Sequence, residues 1–300
     1  MAGGQGGGRK KTPEGNVHGI AIVDKEPGWT SHDVVAKSRG LLGTRKVGHS
    51  GTLDPDATGV LVLGVGKATR LLRFLQLLPK GYECEIVLGV ETHSLDATGT
   101  VTATHDMAGV TPDQVAAATK QFVGDITQIP PMVSAVKVQG KRLHELARQG
   151  ITIEREPRPV TVYRFDTEPT DDPLVYHAVV ECSSGTYVRT LAADLGTALG
   201  GGAHLRNLRR TSVGAFTLAD AKELESIEVL PLVEAVRGFP IVRADEQLAA
   251  AVRVGSVLDL QTLGVAGRGP WPVIDEDDNL LAMYELHTDG RAKPTVVLVT

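Results

Sequence analysis

The chain has 300 residues, 42% of them hydrophobic. That is enough for one large domain, or a large and a small one, with a sizeable core. No run reaches the length of a membrane-spanning helix, and the basic start MAGGQGGGRKKTPEGN lacks the apolar stretch of a secretory signal. Cys84 and Cys182 stand far apart, which argues against a disulfide framework or a structural zinc site and places the protein in a reducing cytoplasm. The net charge of −5 counts at first against a nucleic-acid partner. Its distribution says more: residues 1–80 hold twelve Lys/Arg against six Asp/Glu, and residues 121–165 seven against four, whereas residues 216–300 hold seven against fourteen. Local potential, not the total, steers a polyanion.

Residues 1–16 read as a flexible basic tail, either without a role or touching a polyanion. GIAIVDK is a short apolar strand. A turn and a helix follow, with Ser31 as N-cap and Gly40 or Gly43 as the stop. GVLVLGV is a continuous apolar run, read as a buried strand, and KATRLLRFLQLLP has helical spacing. YECEIVLGV alternates as a strand, and GTVTATH is another. TPDQVAAATKQFVG starts a helix with Thr111 as N-cap and Pro112 in its first position. KRLHELARQG reads as a short basic helix closed by Gly150. PVTVYRFDT and LVYHAVVEC are strands, TYVRTLAADLGTALG a helix, and RRTSVGAFTL a strand. From about residue 241 the chain is acidic, with one helix, EQLAAAVRVG, and short strands. Strands outnumber helices and are often adjacent, which favours an α+β fold with a mixed, largely antiparallel sheet. The last 60 or so residues form a small β-rich appendage, of a size that can still fold alone.

The segment VGHSGTLDPDATGVL carries the densest chemistry. A phosphate-binding loop is excluded, because Leu61 and Ala68 stand where its glycine and hydroxyl residue belong. A serine nucleophile elbow fails at Thr52. DPDAT does match a D-x-D-x-T aspartyl-phosphate site. Such an acid follows an apolar strand, however, and VGHSGTL does not read as one. The remaining reading is a carboxylate, Asp54, on a turn stiffened by Pro55. Desolvation would neutralise it unless a cation pairs with it. Arg189, near the start of an otherwise apolar helix, can supply that cation; its other reading is a solvated place on the helix face.

VGHSGTLDPDATGVL resembles the active-site segment of pseudouridine synthases of the TruB type, which isomerise uridine at tRNA position 55 in the T-loop. GIAIVDKEPGWTSHDVV, KGYECEIVLG, PPMVSAVKVQGKRLHELARQG, CSSGTYVRTLAADLG and AHLRNLRRTSVGAF resemble that family in the same order, over about residues 17–220. The C-terminal piece is similar, more distantly, to a small PUA-like RNA-binding domain. The resemblance implies a catalytic domain over 17–238 with a thumb-like insertion at about 130–158, and a PUA-like domain over 239–300. It implies that Asp54 is the nucleophile, that Arg189 pairs with it, and that Tyr82 stacks on the target uracil and is the general base or its helper. It implies that His49 occupies the space left by the flipped base, that Leu208 packs against the base, and that Asp96 helps hold a loop facing the nucleotide. Lys25 and Lys137 are candidate structural or phosphate contacts. The partner implied is tRNA, with no membrane and no cofactor or metal. Nothing in the sequence points to an obligate protein partner.

The chemistry suits these residues. Pseudouridine formation breaks a C–N bond, turns the uracil and forms a C–C bond, with no redox change. A carboxylate can attack the sugar C1′, attack the ring, or assist loss of a sugar proton. All three need water excluded. Tyr82 offsets part of the cost of unstacking the base, since aromatic stacking contributes roughly 1–3 kcal/mol; its other reading is an ordinary core tyrosine. Lys137, Lys141, Arg142, Arg148, Arg155 and Arg158 could grip phosphates as a thumb, or lie on a solvated helix paired with Glu145 and Glu154. Two other functions stay open here: a non-catalytic RNA-binding or tRNA-folding protein, and a magnesium-dependent phosphatase using DPDAT.

Overall fold

The structure is a computed structural model that describes residues 17–134, 137–138, 141–142, 151 and 153–298. The N-terminal tail and Arg148 lie outside the described residues, as does most of the helix expected over 141–150. In chain order the main strands are β1 (Gly19–Lys25), β2 (Val47–His49), β3 (Thr58–Val65), β4 (Lys80–Leu88), β5 (Val90–Thr92), β6 (Val101–Thr104), β7 (Gly124–Gln128), β8 (Lys137–Val138), β9 (Lys141–Arg142), β10 (Arg158–Pro169), β11 (Val175–Cys182), β12 (Ala203–Val213) and β13 (Phe216–Thr217). Nine of them form one sheet, ordered β1-β3-β12-β4-β11-β10-β7, with β2 on β3 and β13 on β12. Every ladder in it is antiparallel except β12 on β3. Lys141 and Arg142, expected in a helix, lie in the hairpin that β8 and β9 form.

The helices are α1 (Ser31–Leu41), α2 (Leu72–Leu77), α3 (Pro112–Thr119) and α4 (Val188–Ala198), then α5 (Glu246–Arg253) and α6 (Leu260–Leu263). Thr111 caps α3 in a capping box with Gln114. The cap of α1 is Thr30 rather than Ser31. Thr30 Oγ1 accepts from Asp33 N while Asp33 Oδ2 accepts from Thr30 N. Ser31 is withdrawn from capping because its hydroxyl serves the Asp54 loop instead.

The run GVLVLGV is apolar throughout because β3 is covered on both sides. Leu61 and Leu63 enter one core, with Tyr82, Cys84, Ile86 and the apolar side of α4. Val60 and Val62 enter another, with Ile20, Ile22 and Phe216. That second core takes in Ile274, Leu280, Met283 and Val296 from the C-terminal unit. The unit is a four-stranded sheet of β14 (Val242–Arg243), β15 (Trp271–Ile274), β16 (Leu280–Leu286) and β17 (Ala292–Val297). An ion pair between Arg73 and Glu285 also joins it to the main domain. Among the described residues no helix is long and apolar enough to cross a membrane.

Candidate active site

Asp54 lies between β2 and β3, on a turn. Its carbonyl accepts from Ala57 N at 3.2 Å. Pro55 occupies the second place, where its fixed φ suits the turn. Two clamps hold the turn from behind. Ser31 Oγ, at the start of α1, accepts from Leu53 N at 2.8 Å and donates to Leu53 O at 3.2 Å. Pro55 O accepts from Gly28 N at 3.0 Å and from Lys25 Nζ at 2.8 Å. Gly59 then lets β12 come alongside: its φ is +99°, and a Cβ there would sit 2.2 Å from Arg210 O.

Lys25, expected to make a structural or a phosphate contact, has surroundings that match the structural one. It is 1% exposed, and its ammonium is spent on three carbonyls, of Glu26, Trp29 and Pro55. Burial lowers its pKa to about 8, against the pull of Asp56 and Asp54. The ammonium thus ties the Asp54 turn to the segment 26–29.

The Arg189 guanidinium is buried at the start of α4. One nitrogen, Nη2, lies 3.0 Å from Asp54 Oδ2 and 2.9 Å from Val133 O. The other, Nη1, lies 3.2 Å from Asp96 Oδ2 and 3.0 Å from Ser94 O. Asp54 is therefore not a lone acid. It shares a cation with Asp96, whose second oxygen accepts from Ser94 Oγ, Thr98 N and Thr98 Oγ1. Asp96 ties its own loop together and grips Arg189 as well. Burial raises the Asp54 pKa above the ordinary carboxylate value, Arg189 opposes that rise, and Asp96 adds to it. The start of α4 is fixed in turn by Gln128, which accepts from Tyr187 N at 2.9 Å and donates to Tyr187 O at 3.3 Å.

Asp54 and Arg189 open into a cavity of about 350 Å³ whose walls include Tyr82, Tyr187, Leu208, Lys80 and Arg210. That volume is in the range of small-ligand sites. Tyr82 is 8% exposed. Burial pushes its phenol above the ordinary value, and the Arg210 guanidinium that reaches it pulls the other way. Leu208 is placed by a β-bulge: three steps from Arg206 to Arg209 face two from Glu85 to Glu83, with Asn207 at φ +54°. The bulge turns Leu208 into the cavity wall.

Four supporting residues escape a reading of the sequence. Ser31 reads as a helix cap, and Gln128 has no signal at all. Lys80 and Arg210 stand in stretches already matched to the family, but nothing in their spacing marks them as buried; alternation along β12 is hidden by its bulges.

His49 ends β2 beside the cavity but is not part of its lining. Its ring meets His32 edge-on, with centroids 5.3 Å apart. Gly51 N donates to Nδ1 at 3.3 Å, which leaves the ring proton on Nε2. Burial, then His32 and Arg210, lower its pKa, so the ring is neutral near pH 7. Asp56, the second acid of DPDAT, is exposed and outside the lining, so the two-acid arrangement of an aspartyl-phosphate enzyme is not formed. Contrary to the expectation from sequence, a strand does precede Asp54; β2 is only three residues long and ends five residues before the acid. Arg155 Nη1 donates to Pro130 O at 2.9 Å and ties residue 155 to residue 130. Lys137 and Arg142 lie across from each other on the β8–β9 hairpin.

The family model described as the N-terminal domain of the TruB family pseudouridylate synthases matches residues 39–188, and that of the tRNA pseudouridylate synthase B C-terminal domain matches 189–235. The boundary between the two falls at Arg189, so the Asp54–Arg189 pair joins the matched parts. A protein named tRNA pseudouridine synthase B from Rhodococcus jostii is 48% identical, covering 97% of this chain and 97% of its own. One of the same name from Thermobifida fusca is 46% identical, covering 93% and 98%. Among solved structures, the chain matched in a Cbf5-Nop10-Gar1 complex is 27% identical with a TM-score of 0.68, covering 94% of this chain and 84% of that one. With half of its length under the first family model and near-complete relatives at such identity, the chain belongs to the TruB family of pseudouridylate synthases.

Proposed function

We propose that the protein isomerises uridine to pseudouridine at position 55 in the T-loop of tRNA, by base flipping and an aspartate nucleophile, without a cofactor, in the cytoplasm. The observation that carries this reading is the Asp54 carboxylate held 3.0 Å from a buried Arg189 in a cavity also lined by Tyr82 and Leu208. Family membership supports the isomerase chemistry, and the names of the relatives support tRNA as its substrate.

In this reading Arg189 keeps Asp54 ionised despite burial, so that its electron pair is available to loosen the glycosidic bond. Tyr82 stacks on the uracil and handles its protons. Leu208 closes the apolar side and helps keep water from the loosened base. Neutral His49, beside the mouth, enters the gap left by the flipped nucleotide. Lys137, Arg142 and Arg148 grip the RNA backbone as a thumb. Residues 17–238 form the catalytic domain, and residues 239–300 form a small PUA-like domain packed on it.

The test is incubation with an unmodified, uridine-labelled tRNA transcript in EDTA, followed by nucleoside analysis. Pseudouridine at position 55 is the expected product. Its absence, with RNA bound, would leave a tRNA-binding protein without catalysis. Phosphate release that stops with chelator would instead indicate the phosphatase. Asp54→Asn should bind RNA and form no product, and full turnover by that variant would remove Asp54 from its role.

A further inference from the structure

Arg210 is the largest fully buried side chain of the described residues, at 1% exposure. Buried charges are ordinarily paired, because an unpaired one costs several kcal/mol. Yet among the described residues no carboxylate pairs with it. Its Nε donates to Val60 O at 2.7 Å, and its Nη groups face Gly51 O at 3.2 Å and Thr52 O at 3.5 Å. A guanidinium has five N–H groups, so donors remain. Arg210 is the partner of Tyr82 in the β12–β4 ladder, and both line the cavity; the charge of Arg210 and a hydrogen bond to the phenol favour the ionised form. Arg210 therefore touches the wall strand, the loop that carries Asp54, and the tyrosine. Its charge also bears on Lys25, His49 and Lys80, all of which it pushes toward neutrality. The nearest cavity cation, Lys80, spends two of its protons on Gln76 O and Leu78 O.

We infer that Arg210 is a positioning residue for proton transfer: it orients the Tyr82 phenol and stabilises a transient phenolate, so that this one side chain both gives and takes the proton that the isomerisation must move. This rests on the function proposed above. The net reaction carries one hydrogen from C5 of uracil to N1. Turning the detached ring brings C5 to the place that N1 held, opposite C1′. A single fixed acid can then serve both ends. As Asp54 bonds to C1′ and the N1–C1′ bond breaks, the Tyr82 O–H breaks and an N1–H bond forms, leaving phenolate. C5–C1′ then forms as the Asp54–C1′ bond breaks and returns its electron pair to the carboxylate; the C5–H bond breaks, its electron pair returns to the ring, and the proton restores the phenol. Nothing else is consumed. The high resting pKa of Tyr82 keeps the proton in place for the first step. The groups that face the phenol are Arg210 from β12, Cys182 from β11 and Asp54 from the loop; the last two are an uncharged thiol, raised to about 11, and the nucleophile itself. Arg210 is the one that favours the phenolate.

The experiment is single-turnover release of tritium from tRNA labelled at C5 of uridine, across pH, with RNA affinity measured alongside. Arg210→Gln is expected to slow release about a hundredfold, the scale of acid–base assistance, with RNA affinity within about threefold. Arg210→Lys, which keeps the charge, should recover much of that loss. Replacing Tyr82 by a fluorinated tyrosine, whose phenol ionises more readily, should rescue Arg210→Gln about tenfold, an effect a merely structural role would not give. Near wild-type release by Arg210→Gln, or no rescue by the fluorinated side chain in a folded, RNA-binding variant, would overturn the inference. Should Arg210→Gln fail to fold, fluorinated Tyr82 beside native Arg210 decides: the alkaline limb of the rate profile must move to lower pH, and an unmoved limb overturns it. No release by the wild-type protein would instead refute the proposed function.

Discussion

Asp96 Oδ2 lies 3.2 Å from Arg189 Nη1, on the nitrogen that Asp54 does not use. Asp54, the proposed nucleophile, is thus held by a carboxylate on a different loop, through a shared guanidinium. Asp96→Asn keeps an oxygen for Ser94 and Thr98 but loses the charge that grips Arg189. Misplacing a reacting group by a fraction of an ångström is costly. Turnover should fall roughly tenfold to a hundredfold, with RNA affinity little changed. The pH dependence has a definite sign. Asp96 raises the Asp54 pKa, so removing its charge lowers it, and the acid limb of the rate profile should move to lower pH. A limb that moves upward would show that Asp96 acts mainly by fixing Arg189. Single-turnover rates over a pH series check this.

Tyr82→Phe separates stacking from proton handling. The ring is kept in its buried place on β4, and only the hydroxyl is removed. RNA binding should stay within about threefold, because the stacking energy is that of the ring. The chemical step should slow by about a hundredfold or more. Tyr82→Ala removes both and should weaken binding by a further 1–3 kcal/mol, roughly. A filter-binding titration beside a rate measurement distinguishes the two losses.

The parts of this site that a linear reading reached are those whose chemistry has few other uses in the chain. An acid next to proline between a Gly-rich loop and a buried strand, and an arginine on an apolar helix, both required a partner. Each turns out to be the other's. The continuous run of β3 was legible because burial on both faces leaves no alternation. What stayed hidden depends on tertiary context. Lys25 reads as either a structural or a phosphate contact, and only the three carbonyls around it reveal a structural clamp. Ser31 has the chemistry of a cap, but its neighbour Thr30 has the capping box, which frees Ser31 to hold Leu53. Asp96 was placed on its loop, while its second oxygen's hold on Arg189 needed a partner 93 residues away.

The clamp role of Lys25 is separable from phosphate binding. Lys25→Met leaves the carbonyls of Glu26, Trp29 and Pro55 without their donor and should loosen the Asp54 turn. Turnover and melting temperature should both fall. The salt dependence of RNA binding should keep its slope, whereas removing a phosphate-neutralising charge would reduce it by about 0.7–0.9. The pKa of Lys25 is depressed to about 8 in the folded state, from an ordinary value of 10.5. The unfolded chain therefore binds more protons between those values, and wild-type stability gains there as pH rises. The difference between wild type and Lys25→Met should accordingly widen from pH 8 toward pH 10. Denaturant melts at the two pH values test it.

Phosphate gripping by the insertion makes the opposite salt prediction. Lys137 and Arg142 are backbone partners in the β8–β9 ladder. A basic segment gains RNA affinity by neutralising phosphates. Replacing Lys137, Arg142 and Arg148 together by alanine should weaken RNA binding and lower the slope of log affinity against log salt by about 2, near 0.7 for each single-strand phosphate that is no longer neutralised. The rate from bound RNA should change much less, since phosphate contacts position the RNA and take no part in the bond changes. An unchanged slope would assign the three charges to solubility, and a reduced rate with normal affinity would place the hairpin in the closure of the site.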